Sequence, residues 1–260
     1  FYEPVAACVE YAIATTRKQR LMVVDIGGGT CDVCVMEFGG AEGTAARLGE
    51  SRILGVAGVP VAGDAIDREI IRQKLFPHFG SRSRYGPSML PVPQFLFNQI
   101  LDWQNLYKLN TEETINWLIA MEASSTQPRA IRALRCLIQR NYGYPVAREV
   151  EAAKKRLSVD LQTDIQIHKE DIQLVERLER QGFAHLIEHT LGQMLTSIEE
   201  AESQAQVTPT DIDYVLTTGG TSLVPAIRDM IGDRYGAERV IRRDTFTSVA
   251  TGLAIAAQYA

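Results

Sequence analysis

The most regular pattern of apolar positions in the chain lies between residues 183 and 198. Mostly apolar side chains recur there at i, i+3, i+4 and i+7, the spacing that places them on one face of a helix. The pattern predicts a long helix from about residue 171 to 203 that packs on a core through this stripe. The stripe consists of Phe183, Leu186, Ile187, Thr190, Leu191, Met194, Leu195 and Ile198.

Two short apolar runs that end in glycines predict strands followed by tight turns. The first leads into GGGT at 27–30, and a second strand-like run follows, so residues 21–38 are predicted to form a β-hairpin. The second, YVL at 214–216, leads into another glycine turn at 219–222. Further strands are predicted at 45–54 and 163–168, and residues 55–63 are predicted to form a loop of small residues.

The middle of the chain is helical in character. Residues 94–157 predict several helices in succession, with breaks near 110–111, 124–128 and 143–145. Residues 77–93 are rich in Gly and Pro and predict a loop. Shorter helices are predicted at 4–16, 64–75, 224–231 and 249–257.

Composition narrows the class of protein. The 260 residues include 27 Lys and Arg against 32 Asp and Glu, a net charge of −5, and 45% are apolar. Such a chain folds around a core, and its mild acidity gives no footprint for nucleic acid or for an anionic membrane. No apolar run approaches the roughly 18–20 residues of a membrane helix. Four sparse cysteines favour a reduced, cytoplasmic protein, and the start at Phe1 suggests a piece of a longer one.

The two glycine turns are the strongest candidates for chemistry. Glycines at a strand end let backbone N–H groups approach an anion closely, and threonines beside them add hydroxyl donors. Asp25, just before the first turn, could hold a hydrated Mg²⁺ that bridges phosphates. Neither turn is a P-loop or a dinucleotide-binding fingerprint. A single turn of this kind is often only a hairpin, but two of them favour a phosphate clamp.

Six further segments occur in order along the chain: EPVAA at 3–7, VVDIGGGTCDV at 23–33, GDAIDREI at 63–70, EAAKKRLS at 151–158, VLTTGGTSLVPAI at 215–227 and SVATGLAIAA at 248–257. Together they resemble the second half of an Hsp70-type nucleotide-binding domain, in the actin-like ATPase superfamily. The long helical insert at 76–148, which contains LPVPQFLFNQILDW, resembles the YegD-like branch of Hsp70-related proteins. The match covers nearly the whole chain.

The resemblance implies an α/β fold with a ribonuclease-H-like lobe, a mixed sheet with flanking helices, and an inserted, mainly helical subdomain. Residues 1–20 would be a junction helix from the first lobe. Residues 21–63 and 166–260 would form the core of the second lobe, and residues 64–165 the inserted subdomain.

The resemblance also implies ATP or ADP with Mg²⁺ between two lobes, of which the first would lie outside this chain. Asp25 would hold the hydrated metal, with Glu3 near the metal waters and Asp32 at a weaker ion site. Gly27, Gly28, Gly29 and Thr30 would contact the β- and γ-phosphates. The other nucleotide contacts would be Gly63, Asp64, Glu151, Lys154, Lys155, Ser158, Gly219, Gly220 and Thr221.

Three departures bear on adenine recognition. Conventional Hsp70s have Arg where this chain has Lys155 and Leu223, and an Asp where it has Phe246. A Leu side chain cannot make a cation–π contact with adenine, and Lys stacks less well than Arg. The adenine site is therefore expected to be weaker or differently built. With the first lobe outside the chain, the 260 residues alone are expected to be catalytically incompetent, although the parent protein would hydrolyse ATP.

Other functional classes stay open. The chain could be an interaction module with a degenerate nucleotide site, whose helical insert binds a protein client or co-chaperone. A sugar- or acetate-kinase relative is a third possibility, but no sugar-binding signature is evident. Trp103, Trp117, Phe95 and Phe97 are predicted to form the core of the insert or, alternatively, an exposed partner site.

Two metal-binding motifs have simpler interpretations. HLIEH at 185–189 matches an inverted zinc-protease motif, but both histidines are predicted to face solvent, opposite the apolar stripe. Cys31 and Cys34 lie three apart on a predicted strand and so point to opposite faces, which disfavours a metal or redox role. His78 and His168 are predicted to be surface residues.

Overall fold

The computed structural model describes residues 17–38 and 51–242. The helices predicted at 4–16 and 249–257, residues 45–50 of the strand predicted at 45–54, and Glu3 and Phe246 lie outside the described residues.

Strands and helices alternate along the described chain. The strands are β1 (Gln19–Ile26), β2 (Cys31–Phe38), β3 (Arg52–Val59), β4 (Arg84–Tyr85), β5 (Leu90–Pro91), β6 (Gln162–Lys169), β7 (Ile172–Glu179), β8 (Tyr214–Thr218) and β9 (Val240–Arg242). The α-helices are α1 (Gly63–Ile70), α2 (Gln94–Leu101), α3 (Glu112–Ser124), α4 (Pro128–Gln139), α5 (Gly143–Leu157), α6 (Arg180–Leu186), α7 (Glu188–Ala205) and α8 (Pro225–Tyr235).

Helical turns of other types connect these elements. A π-helix at Ile71–Leu75 continues α1. The 3-10 turns lie at Phe76–Phe79, Trp103–Leu109, Pro209–Asp211, Gly220–Leu223 and Ala237–Arg239.

A five-stranded sheet in the order β3-β2-β1-β8-β9 organises the first part of the fold. β1 pairs antiparallel with β2, and β2 with β3, whereas β8 runs parallel to both β1 and β9. β1 is central, so every residue from Leu21 to Ile26 is buried. A mixed sheet flanked by helices confirms the predicted α/β fold class.

The chain divides into two compact units. Described residues up to 65 and from 188 onward form the first unit, and residues 66–187 form the second. The predicted subdomain began at 64, close to this boundary, but it ended at 165. The second unit extends further because β6 and β7 form a hairpin within it.

The first unit buries an apolar cluster on one face of its sheet, made of Leu21, Val23, Cys34, Met36, Phe38 and Leu216. Helix α7 packs on β3 and β2. A Cβ atom on Gly55 would lie 2.3 Å from the carbonyl oxygen of Ala201 in α7, so glycine there allows the close approach. The prediction of a strand at 45–54 and a loop at 55–63 is wrong for residues 55–59, which belong to β3. The small residues in this part of β3, Gly55 above all, leave room for α7.

The long helix predicted at 171–203 is also wrong in its first part. Residues 172–179 form β7, in which Ile172, Leu174 and Leu178 are buried and alternate with more exposed positions. This alternation is the strand period of two, which the helix prediction overlooked. The stripe itself is confirmed from Phe183 onward: six of its members are buried, and Leu191 and Leu195 are half-buried.

The second unit contains the predicted succession of helices. The breaks near 110–111 and 124–128 are confirmed, and the Thr111 side chain caps α3 by accepting a hydrogen bond from the Thr114 backbone. The third break lies slightly earlier than predicted, because α5 begins at Gly143. The predicted loop at 77–93 contains the short β4–β5 hairpin.

One further boundary and one aromatic side chain differ from prediction. β1 begins at Gln19, so residues 19–20 belong to a strand and not to the predicted junction helix. Phe97 is fully buried, as predicted, but Phe95 is about half exposed and stacks on Trp117 with ring centroids 6.1 Å apart.

Among the described residues, no helix is both long and apolar enough to cross a membrane.

Candidate functional site

The two glycine turns lie side by side at one edge of the sheet. β1 and β8 are parallel, and their register pairs Asp25 with Thr218, so the chain leaves both strands at the same level. Thr221 Oγ1 donates a hydrogen bond to the carbonyl oxygen of Gly27 at 2.7 Å. The structure therefore joins two turns that are far apart in sequence.

The first turn is also tied to the start of α1. The backbone N–H groups of Gly63 and Asp64 donate to the carbonyl oxygens of Gly27 and Gly28, at 3.3 and 2.7 Å. The Asp64 carboxylate lies 3.2 Å from the place that a Cβ atom on Gly28 would occupy. The proposed phosphate-binding residues Gly28, Gly29 and Thr30 are exposed at the tip.

Asp25 is the buried acid of this site. Only 8% of the residue is exposed, and its Oδ1 accepts a hydrogen bond from Thr218 Oγ1 at 2.7 Å. Burial raises the pKa of the Asp25 carboxyl; the Thr218 hydrogen bond acts in the opposite direction, and the charge of Asp32 raises the pKa further. Asp32 is its cross-strand partner on β2. A carboxylate held in this way is relieved by a nearby cation.

The donor set fits a hydrated Mg²⁺ better than a metal cage. Mg²⁺ usually keeps several waters and is held through one or two carboxylates together with phosphates. Asp25 and Asp32 supply such a pair. The described part of the chain contains no group of three or more His, Cys, Asp or Glu side chains that could hold a metal by themselves.

The second turn is built around Gly219. Its φ is +84°, and a Cβ atom there would lie 2.0 Å from the carbonyl oxygen of Ile26. Ser222 Oγ donates to the Gly219 carbonyl oxygen at 2.6 Å, which closes the turn. Leu223, where conventional Hsp70s have Arg, is 37% exposed at its end. Gly219 thus serves the contact between the turns, and the neighbouring Gly220 has open space around it.

The other predicted nucleotide contacts lie on α5 of the second unit and at its end. Lys155 and Glu151 are exposed and paired at 2.6 Å. Lys154 is only 8% exposed, and its Nζ lies 2.8 and 2.9 Å from the two carboxylate oxygens of Asp67. Ser158 Oγ donates to the Lys154 carbonyl oxygen at 3.3 Å. The ammonium group of Lys154 is therefore held in a largely buried ion pair, whereas the ion pair of Lys155 with Glu151 is exposed.

Sequence reasoning did not find Thr218 or Asp67. Each contacts a predicted site residue that is distant in sequence. Thr218 lies 193 residues from Asp25, and Asp67 lies 87 residues from Lys154. A threonine at the end of a strand that precedes a glycine turn was the available signal for Thr218. No local pattern marks Asp67.

The remaining candidates have ordinary surroundings. His185 and His189 are exposed, as predicted, and the helix that would carry both is interrupted at Ile187. Burial raises the pKa of Cys31 to about 12 and that of Cys34 to about 11, so neither thiol is an effective nucleophile at neutral pH.

The two surface histidines lie beside side chains of β7. His78 Nε2 lies 3.1 Å from Glu176, and His168 Nδ1 lies 2.9 Å from Gln173.

Comparison with known proteins finds similarity to Hsp70-type proteins. The Hsp70 protein family matches residues 140–259. The chain is 26% identical over 266 residues to the chaperone protein DnaK of Thermus thermophilus, covering 98% of the chain and 34% of the relative. It is 24% identical over 256 residues to a chaperone protein HscA homolog of Burkholderia cenocepacia, covering 98% and 32%.

A third relative gives the same result. The DnaK chaperone of Thermosipho melanesiensis is 26% identical over 263 residues, covering 98% of the chain and 34% of the relative. The chain thus spans about a third of the length of the curated relatives it matches. Over nearly all of its own length it is similar to Hsp70-type chaperones.

Replacing Gly219 should unfold the site, whereas replacing Gly220 should not. Alanine at 219 would need a left-handed conformation and would clash with Ile26, which together should destabilise the chain by more than about 2 kcal/mol. Gly220→Ala is the matched control, since nothing lies within 4 Å of its added methyl group. Chemical denaturation of both variants measures the difference, and equal stability would contradict this account of the turn.

Asp25→Asn should raise thermal stability at neutral pH in the absence of metal and nucleotide. Because the folded-state pKa lies above the unfolded one, protonated Asp25 favours folding, and that contribution is lost as the pH rises through the folded pKa. Asn removes the buried charge and keeps an oxygen for Thr218. Calorimetric melting in EDTA should show a higher Tm at pH 7, with the gain shrinking towards pH about 4. A gain independent of pH would argue against burial of the charge.

Lys154→Met and Lys155→Met should differ in stability. Removing Lys154 leaves the Asp67 carboxylate largely buried without its ammonium partner, which should cost about 3 kcal/mol. Lys155 makes an exposed pair, so its loss should change the free energy of unfolding by less than about 0.5 kcal/mol. Urea unfolding compares the two, and a tolerated Lys154→Met would show that the buried pair is dispensable.

Proposed function

We propose that this chain forms the second half of an Hsp70-like nucleotide-binding domain and holds the phosphates and Mg²⁺ of ADP or ATP. One observation carries the proposal: two glycine turns meet at the carboxyl ends of the parallel strands β1 and β8, beside a buried carboxylate. Ligands of α/β sheets characteristically bind at this edge. The similarity to Hsp70-type chaperones supports the same assignment.

Different residues of the first unit would bind the phosphates, the Mg²⁺ and the adenosine of the nucleotide. Backbone N–H groups and the Thr30 hydroxyl at the exposed tip 27–30 would donate to phosphate oxygens. Asp25 would orient the water shell of Mg²⁺, with Asp32 as a weaker second acid. Bound Mg²⁺ would neutralise phosphate charge and, with it, the repulsion between these two carboxylates. The turn at Gly219–Thr221 would face the adenosine part.

The resemblance also implies nucleoside contacts on α5 of the second unit. Glu151, Lys155 and Ser158 are the candidates from the resemblance, with Lys154 held in its ion pair beside them. Lys155 and Leu223 replace two arginines of conventional Hsp70s, so adenine would be held without the guanidinium stacking of those proteins. The site would therefore select weakly for adenine and would hold the nucleotide mainly through its phosphates and the metal.

In the longer protein, ATP would bind between two lobes, and hydrolysis would switch lobe closure in a chaperone-related cycle. Glu3 would act there with Asp25. The 260 residues alone would bind nucleotide without turning it over, because the first lobe supplies the other half of the site. Protein clients or co-chaperones would be partners of the longer protein, in the cytoplasm.

A second candidate is an interaction module with a degenerate nucleotide site. The exposed Leu223 favours it, as does the half-exposed Phe95 stacked on Trp117 in the helical insert. Apolar surface of this kind suits a protein partner. The two candidates differ in whether Mg·ADP binds at the glycine turns.

Calorimetric titration with Mg·ADP tests the proposal on the 260-residue chain and on the longer protein that contains it. Gly29→Val should weaken binding at least about tenfold, or 1.4 kcal/mol, because the side chain fills the exposed tip where phosphate would lie. Nothing lies within 4 Å of the added Cβ, so the fold should persist. Gly192→Val on α7 is the control, since its Cβ also meets nothing and it lies outside the turns.

Three outcomes separate the candidates. Binding that Gly29→Val removes and Gly192→Val keeps supports the nucleotide site. Binding that is equal in both variants places the nucleotide elsewhere. If neither the chain nor the longer protein binds Mg·ADP, the interaction module is favoured.

A further inference from the structure

We infer that Thr218 is a positioning residue for Asp25: its hydroxyl fixes the carboxylate in the orientation that receives the hydrated cation of the bound nucleotide. The inference rests on the proposed nucleotide-binding function and adds a residue of β8 to that site. The resemblance assigned no role to Thr218.

The geometry begins with strand register. Asp25 and Thr218 are Cα partners in the parallel pair of β1 and β8, so their side chains leave neighbouring strands on the same face of the sheet. Thr218 Oγ1 lies 2.7 Å from Asp25 Oδ1. Thr218 is 1% exposed and Asp25 8%, so little water competes for this hydrogen bond.

The chemistry of the two groups fixes the direction of the bond. An ionised carboxylate accepts hydrogen bonds only, so the hydroxyl must donate. Oδ1 is thereby engaged, which leaves Oδ2 as the oxygen that would receive a water of the cation's shell. Threonine is stiff at χ1 because it is branched at Cβ, so the backbone of β8 sets where the donor lies. A donor placed in this way holds the acid without reorganisation when the ligand arrives.

The neighbours of Asp25 make this orientation matter. β1 lies between β2 and β8 in the sheet, with Asp32 opposite Asp25 on β2 and Thr218 opposite it on β8. The negative charge of Asp32 repels the carboxylate, whereas the hydroxyl of Thr218 attracts it. The hydrogen bond therefore biases the acid towards the side of the sheet that carries the second glycine turn.

A purely structural role would be simpler: Thr218 could only satisfy a buried acceptor. That role predicts lost stability in a variant without the hydroxyl, and equal effects on nucleotide binding with and without metal. A positioning role predicts an effect that depends on the metal. The two roles can be separated by measuring binding as a function of Mg²⁺.

Thr218→Val keeps the shape of the side chain and removes the donor, and Thr218→Ser keeps the donor. ADP binding to each variant of the full 260-residue chain is measured by calorimetry across a Mg²⁺ series and in EDTA. For Thr218→Val we expect the Mg²⁺ concentration at half-maximal binding to rise about tenfold, with affinity in EDTA unchanged. Thr218→Ser should return that midpoint to within about twofold of the wild type.

Each other outcome has a distinct meaning. An unchanged Mg²⁺ midpoint in Thr218→Val overturns the inference while wild-type binding upholds the proposed function. Equal weakening with and without Mg²⁺ shows a structural role and also overturns it. If neither the wild-type chain nor the longer protein that contains it binds Mg·ADP, the proposed function is overturned, and the inference with it. If Thr218→Val fails to fold, Thr218→Ala, which also lacks the donor, takes its place with the same expected shift.

Discussion

The parallel pairing of β1 with β8 is the constraint on which the candidate site depends. It sets Asp25 beside Thr218, and it brings the turns that follow the two strands within hydrogen-bonding distance of each other. It also explains why Gly219 lies against the carbonyl group of Ile26. Because side chains alternate between sheet faces, a slip of one residue in this register would turn Thr218 away from the acid and separate the whole arrangement.

Two buried carboxylates of the first unit, those of Glu202 and Asp25, have different surroundings. Glu202 on α7 is 5% exposed and fully engaged, since Tyr235 Oη donates to it at 2.6 Å and Arg234 pairs with it. Asp25 is buried nearly as deeply, but within residues 17–38 and 51–242 its hydrogen-bonding side chain is the neutral Thr218, and it faces another acid. The first arrangement stabilises the packing of α7 with α8. The second leaves the charge of Asp25 only partly compensated among the described residues, a feature that is common at functional sites.

Local features of the fold were predictable from the sequence, and features that depend on distant partners were not. The hairpin, the second glycine turn, the helix breaks and the apolar stripe follow from patterns within a few residues. Residues 55–59 of β3 and the whole of β7 were missed because strand pairing, and the helix that covers Gly55, overrode local composition. Lys154 and Lys155 are adjacent and chemically alike, yet Asp67 buries one of them in an ion pair. Residue type suggested a phosphate cradle but could not identify the hydrogen-bond donor of Asp25.

The wide sequence separation within the site has a consequence for biosynthesis. Asp25 and Thr218 are 193 residues apart, so β1 emerges from the ribosome long before its parallel neighbour. At translation rates of 5–20 residues per second, this interval is roughly 10–40 seconds. During that time the buried strand Leu21–Ile26 has β2 on one side and an unpaired backbone edge on the other, the kind of edge that templates aggregation. The nascent chain therefore presents an exposed apolar strand of its own until β8 arrives.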